Sequence, residues 1–444
     1  MLREEQAVNV TKPRRERRWV SALSAFLLFC FLPIPLASGS GGRVPIYNAD
    51  LPLTITNSGS YVLAEDAGSV SSVSIQITVD ADDVVLDLNH SMLTGSGFAA
   101  DYCVVQSAGR NNLTIKNGRI SGSLNIPGAF NRCEDLFIRD GRRNAINTGP
   151  GSLIARCTLA GNFITALGIG LICADAGSII RDCMMSNNMG GDELAGIRAG
   201  DGSLIERCVI SEQSGGRVYG VIAGTGAILD GVVIRDLLGS AATNNTAVVA
   251  GNGALLTGCT LAGNVDLGTG SVVADCLFTG MDTVHSYQAS VGHGSVVVDN
   301  VFSGQVAGTD AVNINSGSLA VNNRLSQYRL QADNGSLIAQ NWADVPVFLK
   351  YDCYVYDNFL GRGISETGGW NRIEGNYLDR TSLHGTNVCI NSFGQRNLIV
   401  KNFFAEDEDH VISGGANDHI AASIIPPGNT FTTNRPWGNV VRLE

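Results

Sequence analysis

From about residue 84 onward, apolar positions along this chain come in runs of three to five, cut by Gly, Asn or Asp, and no helical 3.6-residue period is sustained. One block recurs. It reads Gly151-Ser-Leu-Ile-Ala-Arg-Cys157, Gly177-Ser-Ile-Ile-Arg-Asp-Cys183, Gly202-Ser-Leu-Ile-Glu-Arg-Cys208, Gly226-Ala-Ile-Leu-Asp-Gly-Val232, Gly253-Ala-Leu-Leu-Thr-Gly-Cys259 and Gly270-Ser-Val-Val-Ala-Asp-Cys276. It continues as Gly294-Ser-Val-Val-Val-Asp-Asn300, Gly317-Ser-Leu-Ala-Val-Asn-Asn323 and Gly335-Ser-Leu-Ile-Ala-Gln-Asn341, with degenerate copies ending at Asn358, Asn376 and Asn402. Asn117 and Asp140 are read as the ends of similar blocks upstream. Successive block ends lie 17 to 27 residues apart.

Each repeat is expected to hold three short strands. A segment such as Gly196-Ile-Arg-Ala-Gly200 precedes the block, the block is the second strand, and a segment such as Asn300-Val-Phe-Ser-Gly304 follows. Strands this short cannot bury a face alone, but stacked turn on turn they close a continuous interior. The expected fold is all-β: a single-stranded right-handed parallel β-helix, a solenoid of three short strands per coil, with N- and C-terminal caps. The Leu-x-x-Leu-x-Leu frame of leucine-rich repeats is missing, and no aromatic signature recurs at the roughly 40-residue period of a propeller blade.

The last block position is Cys at 157, 183, 208, 259 and 276, then Asn at 300, 323, 341, 358, 376 and 402. The Asn run reads as a stacked amide ladder, with Asn also suited to a left-handed turn there. The Cys run reads as a buried stack of free thiols, although neighbours about 4.8 Å apart fall within the range for a disulfide. Zinc would need paired ligands such as Cys-x-x-Cys, which the chain lacks, so no metal or cofactor is assigned.

The first forty residues differ in kind. Arg14, Arg15, Arg17 and Arg18 precede an apolar run from Trp19 to Leu36, followed by Ala37, Ser38, Gly39 and Ser40. This order is that of a secretory signal; a membrane anchor is the other reading, and Pro33 and Pro35 beside small residues favour cleavage. Cys30 follows no small residue, against a lipoprotein site. The expected division is 1–39 signal peptide, 40–82 cap strands, 83–415 β-helix and 416–444 C-terminal cap, with Trp437 and the Pro426-Pro427 pair in that lid. Losing 1–39 removes six basic and three acidic residues and takes the net charge from −11 to −14. A surface so acidic argues against a nucleic-acid partner. Export, no membrane insertion after cleavage and a monomeric state are the matching expectations.

The pattern resembles the pectin-lyase-like, right-handed parallel β-helix repeat proteins of secreted bacterial proteomes. The residues that carry the resemblance are Asp83-Val-Val-Leu-Asp-Leu-Asn-His-Ser-Met-Leu-Thr-Gly95, Asn112-Leu-Thr-Ile-Lys-Asn-Gly118, the Gly-Ser-Leu-Ile blocks, Asn371-Arg-Ile-Glu-Gly-Asn376, Asn397-Leu-Ile-Val-Lys-Asn402 and the closing Asn434-Arg-Pro-Trp-Gly-Asn439. The resemblance spans about 44–440 and implies the fold and a polysaccharide or cell-surface glycan partner. It leaves activity open, because the group includes lyases, hydrolases, epimerases and noncatalytic surface proteins.

Candidate chemistry is sparse. Gly292-His293-Gly294 matches one polygalacturonase element and Arg372-Ile-Glu374 half-matches another, but Asn-Thr-Asp and a central Asp-Asp are missing. His293 directly precedes a structural block and reads as a turn residue. The outward row of the first strand is expected to be Asn147, Arg198, Ile222, Val249, Asp266, Ser290, Asn313, Gln331 and Phe348, with one base and one acid. Asp192, Glu193 and Asp201 can form a pocket with Arg198, or be solvated turn charges. Glu406-Asp-Glu-Asp-His410 is a calcium candidate or a solvated charge run. Tyr351, Tyr354, Tyr356, Phe359 and Trp370 either stack on sugar rings or pack the wider coils. Catalytic residues stay unassigned. The leading expectation is a structural or glycan-binding protein of the cell envelope or exterior; the rival is a polysaccharide lyase or glycoside hydrolase acting along the outer groove.

Overall fold

A computed structural model describes residues 42–68, 75–95, 103–165, 170–240, 245–279, 289–303, 310–326, 329–378, 390–392, 395–404, 412–413, 419–420, 423–424 and 439–441. The chain is a right-handed parallel β-helix. Strands of the same kind stack in parallel register, each pairing with its copy one coil later. First strands run Ile146–Thr148, Gly170–Ala174, Glu193–Ala199 and Arg217–Ala223, and second strands run Leu153–Ala155, Ile179–Arg181, Leu204–Glu206 and Ile228–Asp230. Parallel pairing begins with Val44–Ile46 against Gly59–Leu63, within the expected cap segment, and continues to Phe403–Phe404 against Asn439–Val441.

Alternation within each strand sorts the side chains. Ile154, Ile180, Ile205, Leu229, Leu256, Val273 and Val297 form one buried column on the second strand. On the third strand Phe278 lies against Phe302 with ring centroids 4.4 Å apart, because parallel register places identical rings one coil apart. Each such fully buried side chain contributes roughly 1.5–3 kcal/mol relative to exposure.

The corners explain the block. At its start, Gly151, Gly177, Gly202 and their later copies hold φ between 63° and 70°, a left-handed angle that favours glycine. The buried Ser that follows lines a shaft in which the Oγ atom of Ser178 accepts from Ser152 N–H and that of Ser318 from Ser295 N–H. At the block's end the left-handed residue is the penultimate one: Asp135, Arg156, Asp182, Arg207, Asp275, Asp299 and Asn322 have φ of 48–58°. The ladder Cys and Asn residues do not take this angle; they follow the turn and point inward. The expectation that ladder Asn itself supplies the left-handed turn is thus displaced by one residue. Asn117, with φ 57°, occupies the turn position and Gly118 the ladder position. Asp140 follows the long strand Arg132–Arg139, whose ladder residue is Leu136, paired with Gly118. Neither therefore ends a block as expected.

The amide ladder is present. Nδ2 of Asn300 donates to Oδ1 of Asn323 (3.0 Å), and the same bond joins Asn323 to Asn341, Asn341 to Asn358, Asn358 to Asn376 and Asn376 to Asn402. The nine cysteines among the described residues are free thiols.

Candidate functional site

The first-strand outward row has the expected register, running Asn147, Cys173, Arg198, Ile222, Val249, Asp266, Ser290, Asn313, Gln331 and Phe348. Cys173 is the member that sequence reasoning missed. Three coils separate Arg198 from Asp266, roughly 14 Å at about 4.8 Å per coil. Paired carboxylates in glycoside hydrolysis sit about 5–10 Å apart, and this row holds one carboxylate.

The acidic candidates near Arg198 do not converge. Glu193 begins the strand beside Arg217 of the next coil, five residues before Arg198, and Asp201 spends Oδ1 on the Thr225 N–H at 2.7 Å. His293 is exposed at the glycine corner, where its carbonyl accepts from Gly270 N–H at 2.9 Å. Glu406–His410, like residues 1–39 and Trp437, lies outside the described residues.

Arg372 and Glu374 point outward from the second strand and bind each other. Lys401 Nζ lies 3.0 Å from Glu374 Oε1, and the Tyr354 hydroxyl donates to Glu374 Oε2 at 3.3 Å. Lys401 and Arg372 hold the Glu374 carboxyl below its ordinary range, while burial and the facing Glu374 push the Tyr354 phenol up. A carboxylate held ionised by two cations is a weak base, and a phenol shifted upward is slow to give a phenolate. The second ion network has the same character. Burial opposes ionisation of Glu134, but Arg132 and Arg156 outweigh it, and Arg156 lowers Asp135. Arg156 bridges Glu134 and Asp135, and Arg207 grips Asp182 through two bonds of 2.8 and 3.1 Å. These networks zip corner to corner along the coils.

The aromatic residues that adjoin in sequence separate in space. Phe359 stacks between Trp342 (6.1 Å) and Tyr377 (4.8 Å) on the third strand, so its faces are already covered. Tyr354 and Tyr356 lie side by side on the second strand, 4.8 Å between centroids. Tyr351 and Trp370 stand at the glycine corner of consecutive coils, 51% and 58% exposed. Gly368 makes room for Tyr351, since a Cβ there would lie 2.8 Å from Tyr351 Cγ, and Gly369 lets the next coil approach, since a Cβ there would lie 2.3 Å from the Gln395 carbonyl oxygen. Trp370 holds φ 66° at the corner position that Gly335 and Asp352 take in the two preceding coils, and the Arg396 guanidinium lies 4.8 Å from its ring. A bulky residue kept in this angle is costly and leaves its ring outside the solenoid.

No protein-family model matches the sequence, and no curated protein is similar to it. Among solved structures, the chain is similar to the Azotobacter vinelandii mannuronan C-5 epimerase AlgE6 A-module, at 10% identity over 91% of this chain and 90% of that one, with a TM-score of 0.26. It is also similar to the catalytic unit of a thermostable GH87 α-1,3-glucanase from Streptomyces thermodiastaticus strain HF3-3, at 13% identity over 85% of this chain and 64% of that one, with a TM-score of 0.29. Likeness at this level says nothing of chemistry, which rests on the side chains.

Proposed function

We infer that the chain is an exported or cell-envelope solenoid that binds polysaccharide without cleaving it. The observation that carries this reading is the corner formed by Tyr351 and Trp370. Two half-exposed aromatic rings stand on successive coils, with Arg396 across one of them, and no opposed acid and base lies on the neighbouring first-strand row. Flat rings of this kind stack on the C–H faces of sugars, and an adjacent guanidinium adds donors for hydroxyl or carboxylate oxygens. The basic-then-apolar order of residues 14–36 supports export.

A glycan array followed by calorimetry tests the binding. Trp370→Ala is expected to weaken the best ligand at least about tenfold, as loss of about 1.4 kcal/mol would, with Tyr351→Ala weaker in effect. Reducing-end and unsaturated-product assays on the same polysaccharide are expected to stay at background. Turnover by the Trp370→Ala variant would place catalysis elsewhere and favour the lyase or hydrolase reading. The cluster of Tyr354, Arg372, Glu374 and Lys401 would then be the first to mutate.

A further inference from the structure

Tyr351 continues a row. In the six coils before it, the residue directly ahead of the left-handed glycine is Thr225, Asn252, Thr269, His293, Ser316 and Asn334. Backbone bonds stack these residues coil on coil: Gly226 N–H donates to the Asn252 carbonyl, and the pattern repeats up to Gly335 N–H on the Tyr351 carbonyl. All six are exposed except Ser316, which is half-buried. Each side chain is polar, and none carries a formal charge at pH 7. At about 4.8 Å per coil, the row from Thr225 to Tyr351 runs about 29 Å along the solenoid. The next coil places Gly369 in the row with Trp370 beside it, so the polar row leads onto both rings.

The amides in this row are held in one orientation. Oδ1 of Asn252 accepts from the Thr269 N–H at 2.9 Å, and Oδ1 of Asn334 accepts from the Tyr351 N–H at 3.2 Å. Each bond fixes its amide and leaves Nδ2 as a donor toward solvent. The hydroxyls of Thr225, Thr269 and Ser316 bond to no other group among the described residues, and a hydroxyl both donates and accepts.

Charge marks the two ends of the row. Asp201 holds the same position one coil before Thr225, and charge returns at Asp352 and Arg396 beside the rings. Between those ends, the outward first-strand row from Ile222 to Gln331 holds Asp266 alone, and the first outward residue of the second strand is Ile, Leu or Val. Asp333 and Lys350, at the first-strand margin, bind each other at 2.7 Å. A polyanion laid on this corner would meet no cation in the row over six coils of a chain of net charge −11, and a polycation would meet no carboxylate there. Uncharged sugars present hydroxyls, which amide donors and hydroxyls match. Resting on the reading that the ring corner binds polysaccharide, we propose that the ligand is a neutral, extended glycan. It lies parallel to the solenoid axis along the glycine corner, about one sugar per coil, with one end on Tyr351 and Trp370.

Calorimetry on the full chain tests this with neutral β-glucan, β-mannan and xylan oligomers of three and eight sugars, beside oligogalacturonates and chitosan oligomers of the same lengths. At least one neutral series is expected to bind, its eight-sugar member at least about tenfold tighter than its three-sugar member, because the longer chain reaches further hydrogen-bonding groups. The charged series are expected to bind at least about tenfold more weakly. Asn252→Asp keeps the acceptor for the Thr269 N–H and removes the Nδ2 donor. It is expected to weaken the eight-sugar ligand about fivefold and to leave the three-sugar ligand unchanged, with an unaltered circular dichroism spectrum and thermal transition. Tighter binding of a charged series overturns the proposal and leaves glycan binding standing. Equal affinity for three and eight sugars overturns it too, as does an Asn252→Asp variant that holds eight sugars as the wild type does. Binding of none of the series overturns the proposal and the glycan reading together.

Discussion

The thiol half and the amide half of the solenoid solve one corner in two ways. In the amide half, the ladder Asn accepts through Oδ1 from the backbone N–H of the ladder residue one coil earlier, as Asn300 to Asn323 (3.1 Å) and Asn323 to Asn341 (2.8 Å). Its Nδ2 donates to the carbonyl two residues back, as Asn300 to Val298 (2.9 Å). In the thiol half, sulfur takes both roles. Cys183 and Cys208 accept from the N–H of Cys157 and Cys183, and donate to the carbonyls of Arg181 and Glu206 at 3.2 and 3.3 Å. In these coils the corner residue supplies an acceptor and a donor in the same place, and one sulfur atom imitates an amide with weaker bonds, while the buried Val232 fills the position between Cys208 and Cys259 with neither. Cys276 joins the halves, its N–H already bonded to Asn300 Oδ1 at 2.9 Å.

The comparison is sharpest in reactivity. The bond with Cys183 and burial raise the Cys157 and Cys208 thiols well above the ordinary range, and the same bonds lower Cys183, which receives both. Global opening is then the route to reagent, so labelling of these thiols in native protein should be slower than in denaturant by at least about a thousandfold. Fast labelling of Cys183 alone would show that the shaft opens locally. Next in size, Asn341→Ala strips the Asn323 N–H of its acceptor and the Ala320 and Ala339 carbonyls of a donor. It should cost about 3 kcal/mol in denaturant unfolding. Cys208→Ala, with weaker bonds to lose, should cost about 1–2 kcal/mol. Cys276→Asn extends the amide ladder by one coil and should stay within about 1 kcal/mol of wild type; a larger loss would mean that the two halves differ in shape as well as chemistry.

The smallest effect belongs to the residue just outside the shaft. Arg207 loses an exposed bidentate pair with Asp182 in Arg207→Gly, worth less than about 1 kcal/mol, and escapes a left-handed angle that glycine takes freely. The two terms oppose, and the unfolding midpoint should barely move. Gly231 and Gly258 already occupy this position in other coils.

Much of the fold was legible because the block repeats both corners of a coil. The Gly-Ser step marks one, and the Cys or Asn column the other. The register of the first-strand row followed from that spacing, down to which side chains face out. The left-handed residue was misplaced by one because Asn suits either position by type, and geometry alone separates Asn322, in the turn, from Asn323, in the ladder. The serine shaft and the Asp135–Arg156 and Asp182–Arg207 zippers escaped notice since they join residues a whole coil apart. The aromatic group failed as one site for the opposite reason. Residues close in a coil's sequence point to different faces, so Tyr354, Phe359 and Trp370 share a segment but not a surface.

From the coil of Leu153 to that of Leu337, length varies only in the turn from the third strand to the next first strand, which has a consequence for how such a chain can change. In the nine coils whose second strands run from Leu153 to Leu337, two sides are held to a fixed count of residues, along the serine shaft and the Cys and Asn ladder. The third-to-first turn touches neither shaft. New loops can therefore be displayed along a single edge at regular intervals, and whole coils gained or lost, while the scaffold keeps its pitch like the teeth of a comb.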